Sequence, residues 1–169
     1  MVNRAAWRIT TLLVLGFVAV CHARPIDELG DPWVRGIFTG KSPRPVHVME
    51  TEAWKQASEL AGITPGAFVL VGGGESMLPL YEPGTILVMQ LCAYEKLERG
   101  QTALYRTHAG KVVAHVLITK ARDGWRVAGL NNRIHDMEPV LAQNLVGVVI
   151  AAFRPFATGG AMQVASASR

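Results

Sequence analysis

A single, mainly β domain with one short N-terminal helix is the fold class that this sequence predicts. Three observations support it: short apolar runs separated by regular turn signals, one stretch with helical periodicity, and enough apolar residues to form a core. The chain has 169 residues, of which 50% are hydrophobic and 18% are charged. That length suits about one domain, and that balance excludes a chain that is disordered throughout.

Composition also excludes several classes of function. The formal net charge is +4, but no basic stripe with interleaved aromatic residues accompanies it, so we expect no nucleic-acid partner. Cys21 and Cys92 are the two cysteines, too few for a disulfide framework or a four-cysteine zinc site. His47, His108 and His135 lack the spacing of metal ligands. The sequence therefore predicts no metal and no other cofactor.

Residues 1–23 have the pattern of an export signal. Arg4 and Arg8 precede an apolar run over residues 9–20, and Ala23 suits the position before a cleavage site. The alternative is a retained membrane anchor formed by residues 9–23, with its positive end in the cytoplasm. Both interpretations place the rest of the chain outside the cytoplasmic membrane, in the periplasm or another extracytoplasmic space.

Residues 24–62 are predicted to form an irregular arm followed by a short helix. Four prolines fall within residues 24–45 and interrupt regular structure there. Apolar residues then recur at helical spacing from Val46 to Ala61, and Gly62 and Pro65 end the pattern. Three apolar side chains of the arm could pack on the domain or on a membrane surface: Trp33, Ile37 and Phe38.

Residues 63–156 are predicted to hold the β-rich domain. Six short apolar runs, bounded by turn signals, indicate strands at Ala67–Val71, Thr85–Leu91, Gln101–Thr107, Lys111–Thr119, Trp125–Ala128 and Leu145–Phe153. The segment His108-Ala109-Gly110 predicts a hairpin between the third and fourth of these runs. Residues 157–169 are rich in Gly, Ala and Ser, and we expect them to form a flexible tail.

Ser76 is the candidate nucleophile. It follows a predicted strand within the segment Gly72-Gly-Gly-Glu-Ser-Met-Leu-Pro79. A nucleophilic serine needs an exposed hydroxyl, a tight backbone and nearby N–H groups to hold an oxyanion. The glycines allow a substrate to approach the backbone closely, and Pro79 stiffens the exit. A glycine-rich turn containing a serine is more often only a turn, so this motif needs a partner.

His115 is the candidate base, and Asp136 is the candidate acid that orients it. Strand alternation places His115 on one face with Val113 and Leu117. Histidine suits proton transfer near neutral pH, although a half-buried histidine bonded to the backbone is the alternative interpretation. Asp136 follows on a loop, where by itself it would be a turn-forming residue. The alternative bases are Lys111 and Lys120. A lysine must be desolvated to lose its proton near neutral pH, and we expect both of these to stay solvated.

Several short motifs follow one another in a characteristic order. They are Gly74-Glu-Ser76-Met-Leu-Pro79, Glu82-Pro-Gly84, Gly100, Ala114-His115-Val116, Gly129-Leu-Asn131-Asn132, Asp136 and Val146-Gly147-Val148. In this order they resemble the signal peptidase superfamily, which includes bacterial, archaeal and endoplasmic-reticulum signal peptidases and the self-cleaving phage-type repressors. The chain is most similar to the archaeal and endoplasmic-reticulum branch, and the resemblance covers about residues 66–152.

The resemblance implies a signal-peptidase-like β-fold, shared with repressor C-terminal domains, and a serine endopeptidase that cleaves after small residues. By position, Ser76 would be the nucleophile, His115 the general base and Asp136 its support. The backbone N–H of Ser76 would contribute to the oxyanion hole. The expected partner is an extended segment of a secreted precursor, paired with an exposed sheet edge, and a membrane surface is a second candidate. The predicted substrate-binding residues are Gly74, Met77 and Pro79.

The chain departs from the family pattern at five positions: Glu75, Thr85, Gln101, Val116 and Leu130. Four of these changes remove a charge, whereas Ser76, His115 and Asp136 are retained. A catalytically inactive binding or scaffold protein on the same β-fold is therefore the alternative function. A self-cleaving regulator fits less well, because the candidate cleavage pair Ala61-Gly62 leaves a short tether for reaching Ser76.

Overall fold

The computed structural model describes residues 31–156. The export signal or anchor, the first part of the predicted arm and the predicted tail at 157–169 lie outside the described residues. Within residues 31–156 the protein is mainly β, with one α-helix, as the sequence predicts. No helix in that segment combines the length and the apolar character needed to cross a membrane.

A small hairpin occupies the stretch that was predicted to be irregular. Strands β1 (Trp33–Val34) and β2 (Ile37–Phe38) pair antiparallel. Arg35 and Gly36 between them have φ values of 50° and 78°, as a two-residue hairpin turn of this hand requires. The ring of Phe38 packs on the bare backbone of Gly100, where an added Cβ would lie 2.6 Å from a ring carbon. This contact ties the arm to the domain.

The helix prediction was wrong at its start. Residues Val46–Met49 form strand β3, and helix α1 begins only at Glu50 and ends at Ile63. β3 runs parallel to the end of strand β9 (Leu145–Phe156), with Val46 opposite Phe153. The helix continues through Gly62 and ends two residues before Pro65, because the residue that precedes a proline disfavours the helical conformation.

The six predicted strands are all present, with ends that shift by up to three residues. They are β4 (Ala67–Val71), β5 (Ile86–Gln90), β6 (Thr102–Arg106), β7 (Val112–Ala121), β8 (Gly124–Ala128) and β9. Within residues 31–156 they form, with β3, a seven-stranded sheet in the order β4-β5-β9-β6-β7-β8, and β3 pairs with β9. The predicted hairpin at residues 108–110 joins β6 to β7 in antiparallel pairing.

Strand β7 contributes to two parts of the core, one from each face. Ala114 and Val116 pack with the residues around the Ser76 turn, and Val113 and Leu117 pack with β6 and β8 on the other face. His115 alternates with the first pair, and it is buried, at 6% exposure. This agrees with the face assigned to it from the sequence.

Two of the unpaired sheet edges among the described residues belong to β4 and β7. β4 ends the strand order, so its outer edge has no neighbour there. β7 pairs with β6 from Val112 onward but with β8 only from Val116 onward. Four successive antiparallel pairings separate β4 from β7, so the two strands run in the same direction.

Candidate active site

Ser76 lies in a compact turn directly after β4. The N–H of Gly72 donates to the carbonyl of Thr85 at 2.9 Å, and the N–H of Gly84 donates to the carbonyl of Gly72 at 2.7 Å. These bonds hold the start of the glycine segment against the entry to β5. The turn then closes on itself, because the N–H of Leu78 donates to the carbonyl of Glu75 at 3.1 Å. Ser76 is left half-buried.

The loop after β8 fixes the backbone of Ser76 from the other side. The N–H of Asn131 donates to the carbonyl oxygen of Ser76 at 2.8 Å. Gly129 approaches the same oxygen so closely that an added Cβ would lie 2.8 Å from it. Only glycine permits this approach without a shift of the backbone. The Gly129–Asn132 motif therefore positions the turn that carries Ser76.

His115 joins Ser76 to Asp136. Its Nε2 lies 3.0 Å from Ser76 Oγ, and its Nδ1 is hydrogen-bonded to Asp136 Oδ2. The three residues are separated by 39 and 21 positions in the chain, yet they meet where the Ser76 turn, β7 and the loop after β8 come together. The structure thus brings together all three residues that the sequence selected for chemistry.

Asp136 is held by two further contacts. Its backbone N–H donates to the carbonyl of Val127 on β8 at 2.9 Å. The hydroxyl of Tyr105, on β6, donates to Asp136 Oδ2 at 2.5 Å. Tyr105 was not among the candidate residues predicted from the sequence. The β6–β7 register, which pairs Ala103 with His115, would have placed Tyr105 as a diagonal neighbour of His115.

The surroundings of Asp136 favour its ionised form. Burial is the largest single influence and opposes ionisation, but the hydrogen bonds from His115 and Tyr105, with the charges of His115 and His135, outweigh it. Together they hold the pKa of Asp136 below its usual value. Burial, reinforced by the bond to Asp136, raises the pKa of Tyr105 far above its usual value. Tyr105 is therefore a neutral donor, and Asp136 an anion, at neutral pH.

Asp136→Asn is expected to lower the free energy of unfolding by about 1–3 kcal/mol at pH 7, because two buried donors lose a charged acceptor. The folded-state pKa of Asp136 lies below its unfolded value of about 3.9. The carboxylate therefore stabilises the fold above that pH, and its contribution is lost as the pH falls through the folded-state pKa. Urea denaturation of both proteins at pH 7 and about pH 3 should show the gap shrinking. An equal gap at both values would contradict this.

The backbone N–H of Ser76 is a candidate oxyanion donor. Within residues 31–156 no carbonyl or side-chain oxygen accepts a hydrogen bond from it. It belongs to the same residue as the candidate nucleophile, so it lies close to Oγ, the atom that would attack a substrate carbonyl. An oxyanion hole needs donors fixed in this way before the reaction begins.

A cleft with a volume of about 190 Å³ opens beside Ser76. One wall is the end of β4 with the three glycines that follow, and the other is Val112–Ala114 at the start of β7. The unpaired edges of both strands therefore border the cleft. Apolar or aromatic side chains line the cleft, among them Leu70, Met77, Tyr81, Leu87 and Leu104. Of the predicted substrate-binding residues, Gly74 and Met77 line the cleft, whereas Pro79 lies outside the lining and is exposed.

The two lysines considered as alternative bases lie at the surface. Lys111 is exposed, and so is Lys120, whose ammonium lies 5.4 Å from the centre of the Tyr94 ring. Neither is desolvated as a lysine base would need to be. In the part of the chain that the structure describes, no three His, Cys, Asp or Glu side chains are grouped so as to hold a metal ion.

The positions that depart from the family pattern have structural contacts of their own. Val116 and Leu130 are fully buried in the core beside Met77. The hydroxyl of Thr85, also buried, donates to the carbonyl of Glu82 at 2.7 Å. At these three positions the chain therefore has core packing or a local hydrogen bond and no charged side chain. The ionisable groups at the centre of the site are those of His115, Asp136 and Tyr105.

Comparison with protein-family models and with curated protein sequences gave no match. The case for a function therefore depends on the ordered motifs of the sequence and on the geometry of this site. That geometry is a serine hydroxyl, an imidazole and a carboxylate in series, beside an apolar cleft.

Proposed function

We propose that this protein is a serine endopeptidase in which Ser76 is the nucleophile, His115 the general base and Asp136 the residue that orients the base. The observation that carries the proposal is the 3.0 Å separation of Ser76 Oγ from His115 Nε2 while Asp136 occupies Nδ1. With Nδ1–H donating to the carboxylate, Nε2 keeps its lone pair and can accept the serine proton.

In the proposed reaction, Ser76 Oγ attacks the carbonyl carbon of the scissile peptide while His115 Nε2 takes the hydroxyl proton. The carbonyl oxygen becomes an oxyanion and accepts a hydrogen bond from the N–H of Ser76. The C–N bond then breaks, and His115 gives the proton to the leaving amine. Water, deprotonated by His115, attacks the acyl-enzyme, and the proton returns to Ser76 Oγ as the carboxylic product leaves.

The substrate we propose is an extended strand that lies between β4 and β7. Both strands have an unpaired edge at the cleft, and both run in the same direction. A single inserted strand would therefore run either antiparallel to both edges or parallel to both. Main-chain hydrogen bonds at such edges supply affinity with little demand on side chains.

We further propose that the fold belongs to the signal peptidase superfamily and that the residue before the scissile bond is small. Both proposals follow from the ordered motifs around Ser76, His115 and Asp136. The proposed substrate is a segment of an exported or membrane-associated precursor, because the first 23 residues have the pattern of an export signal or an anchor.

The test is a cleavage assay with the full chain, phospholipid vesicles, and a panel of extended peptides carrying Ala or Gly before the central bond. We expect mass spectrometry to show one cut after the small residue with the parent protein and none with Ser76→Ala. If neither protein cuts while both remain folded, the peptidase proposal fails. Peptide binding to both would then favour the non-catalytic binding function.

The inserted-strand arrangement predicts that N-methylation of a substrate amide just before the scissile residue raises KM about tenfold, because it removes one main-chain hydrogen bond. The measurement compares kcat and KM for peptides that differ only in the methylated position. Methylation at the far end of the peptide, beyond the cleft, is the control and should leave both constants unchanged. Equal KM values across the series would rule out pairing with the β4 and β7 edges.

A further inference from the structure

We propose that Tyr105 is a positioning residue of the Ser76–His115–Asp136 site, whose hydroxyl fixes the Asp136 carboxylate against the His115 ring. The expected effect on turnover rests on the proposed peptidase function. The expected effect on His115 itself does not, because it concerns only the hydrogen bonds of the folded protein.

Two donors converge on one oxygen atom. The Tyr105 hydroxyl lies 2.5 Å from Asp136 Oδ2, and His115 Nδ1 is hydrogen-bonded to the same Oδ2. With a single donor, an aspartate carboxylate can turn about its side-chain torsion and exchange its two oxygens. A second donor from a different strand removes that freedom. Donors on both β6 and β7 therefore fix the position of Asp136 Oδ2.

Tyr105 is fixed and the loop that carries Asp136 is exposed. Tyr105 is 1% exposed and packs in the core beside Leu117 and Val127. Its ring also meets the His115 ring edge-on, with centroids 6.3 Å apart. In the loop, by contrast, Ile134 and Met137 are 72% and 80% exposed. The position of the carboxylate thus depends on the hydrogen bonds that it accepts from side chains of the β-strands.

Tyr105 also divides the negative charge of Asp136 between two donors. A carboxylate that accepts from Tyr105 as well as His115 attracts the His115 proton less than one that accepts from His115 alone. Two other ionisable groups face this pair: His135 acts on Asp136, and Glu138, which accepts from the N–H of His108 at 2.8 Å, acts on Tyr105. Both remain in Tyr105→Phe, so that variant removes the hydroxyl alone.

The kinetic test is a double-mutant cycle with Asp136→Asn. In the parent background, Tyr105→Phe should lower kcat about 10- to 100-fold, because one bond to a charged group is lost, with KM unchanged. In the Asp136→Asn background the same change should have little effect, since Tyr105 acts through the carboxylate. Tyr94→Phe, which removes a hydroxyl from a ring beside Lys120, is the control. Equal losses in both backgrounds, or a rise in KM instead of a fall in kcat, would overturn the proposal.

The second test needs no activity. NMR of the ¹⁵N-labelled protein at one fixed pH, with the His115 Nδ1–H signal assigned from its absence in His115→Ala, should show that proton signal moving to lower field in Tyr105→Phe, because Asp136 Oδ2 then accepts from His115 without competition from Tyr105. An unchanged Nδ1–H signal would overturn the proposal even if the parent cleaves peptides. If the parent cleaves nothing while the signal moves, the peptidase function falls and the role of Tyr105 stands.

A second variant keeps the Tyr105 hydroxyl and provides a test if Tyr105→Phe does not fold. Incorporation of 3-fluorotyrosine at position 105 makes the hydroxyl a stronger donor at nearly the same size. The Nδ1–H signal of His115 should then move to higher field, opposite to the shift in Tyr105→Phe. A shift in the same direction in both variants would contradict a role for the hydroxyl bond.

Discussion

Ser76→Ala is expected to lower kcat for peptide cleavage about a millionfold, leaving only the residual rate that substrate binding and the oxyanion hole supply. The change removes Oγ, the atom that would form the bond to the substrate carbonyl. The imidazole of His115, whose Nε2 lies 3.0 Å from Oγ in the parent protein, then has no hydroxyl proton to accept. KM should change little, because the cleft and both strand edges remain. Initial rates at saturating peptide, with products quantified by mass spectrometry, measure the effect.

The matched control for this change is Ser58→Ala. Ser58 is exposed on helix α1, outside the lining of the cleft, so its removal should alter neither kcat nor the unfolding transition. Thermal unfolding of Ser76→Ala should also stay close to that of the parent, because Ser76 is only half-buried. A residual rate above about one per cent of the parent rate would be too large for an enzyme that has lost its nucleophile and would place the chemistry elsewhere.

His115→Ala should reduce kcat by a similar factor, because the serine hydroxyl then has no base to take its proton. Residues that act as a unit give non-additive losses. The double variant with Ser76→Ala should therefore be no slower than either single variant. The rates of the parent, both single variants and the double variant on one peptide decide this.

Stability needs separate control at this position. His115 is buried, and its removal leaves the Asp136 carboxylate with one donor fewer, so we expect a loss of about 1–3 kcal/mol in the free energy of unfolding. Assays should run well below the unfolding temperature of the variant. His47→Ala is the comparison, since His47 is exposed on β3. Additive losses in Ser76→Ala/His115→Ala would mean that the two residues do not act in one step.

The strands could be predicted closely because each is a short apolar run with turn residues at both ends. β4, for example, spans the predicted residues Ala67–Val71. The helix start could not, because residues 46–49 are too few to show a period. Their conformation is set by parallel pairing with β9, a partner about 100 residues away in sequence. The β1–β2 hairpin escaped prediction because its two-residue strands offer no pattern.

Within the candidate site, the sequence revealed the residues that break a local pattern. His115 stands out as a polar residue in an apolar strand, and Ser76 stands out among glycines. Tyr105 does not, because a tyrosine in an apolar strand is an ordinary core residue. Its role depends on a hydroxyl contact across the hairpin and on a loop 31 positions later. Such a contact follows from tertiary structure alone.

The central position of β9 in the sheet determines when, during synthesis of the chain, the candidate site can form. β4 and β5 hold the Ser76 turn, β6, β7 and β8 hold His115 and the Asp136 loop, and β9 lies between these halves in the strand order. β9 is also the last of the described strands to be synthesised. A growing chain that already contains Ser76, His115 and Asp136 still lacks the strand that brings the halves into register. The three residues of the candidate site can therefore come together only once residues 145–156 have been synthesised.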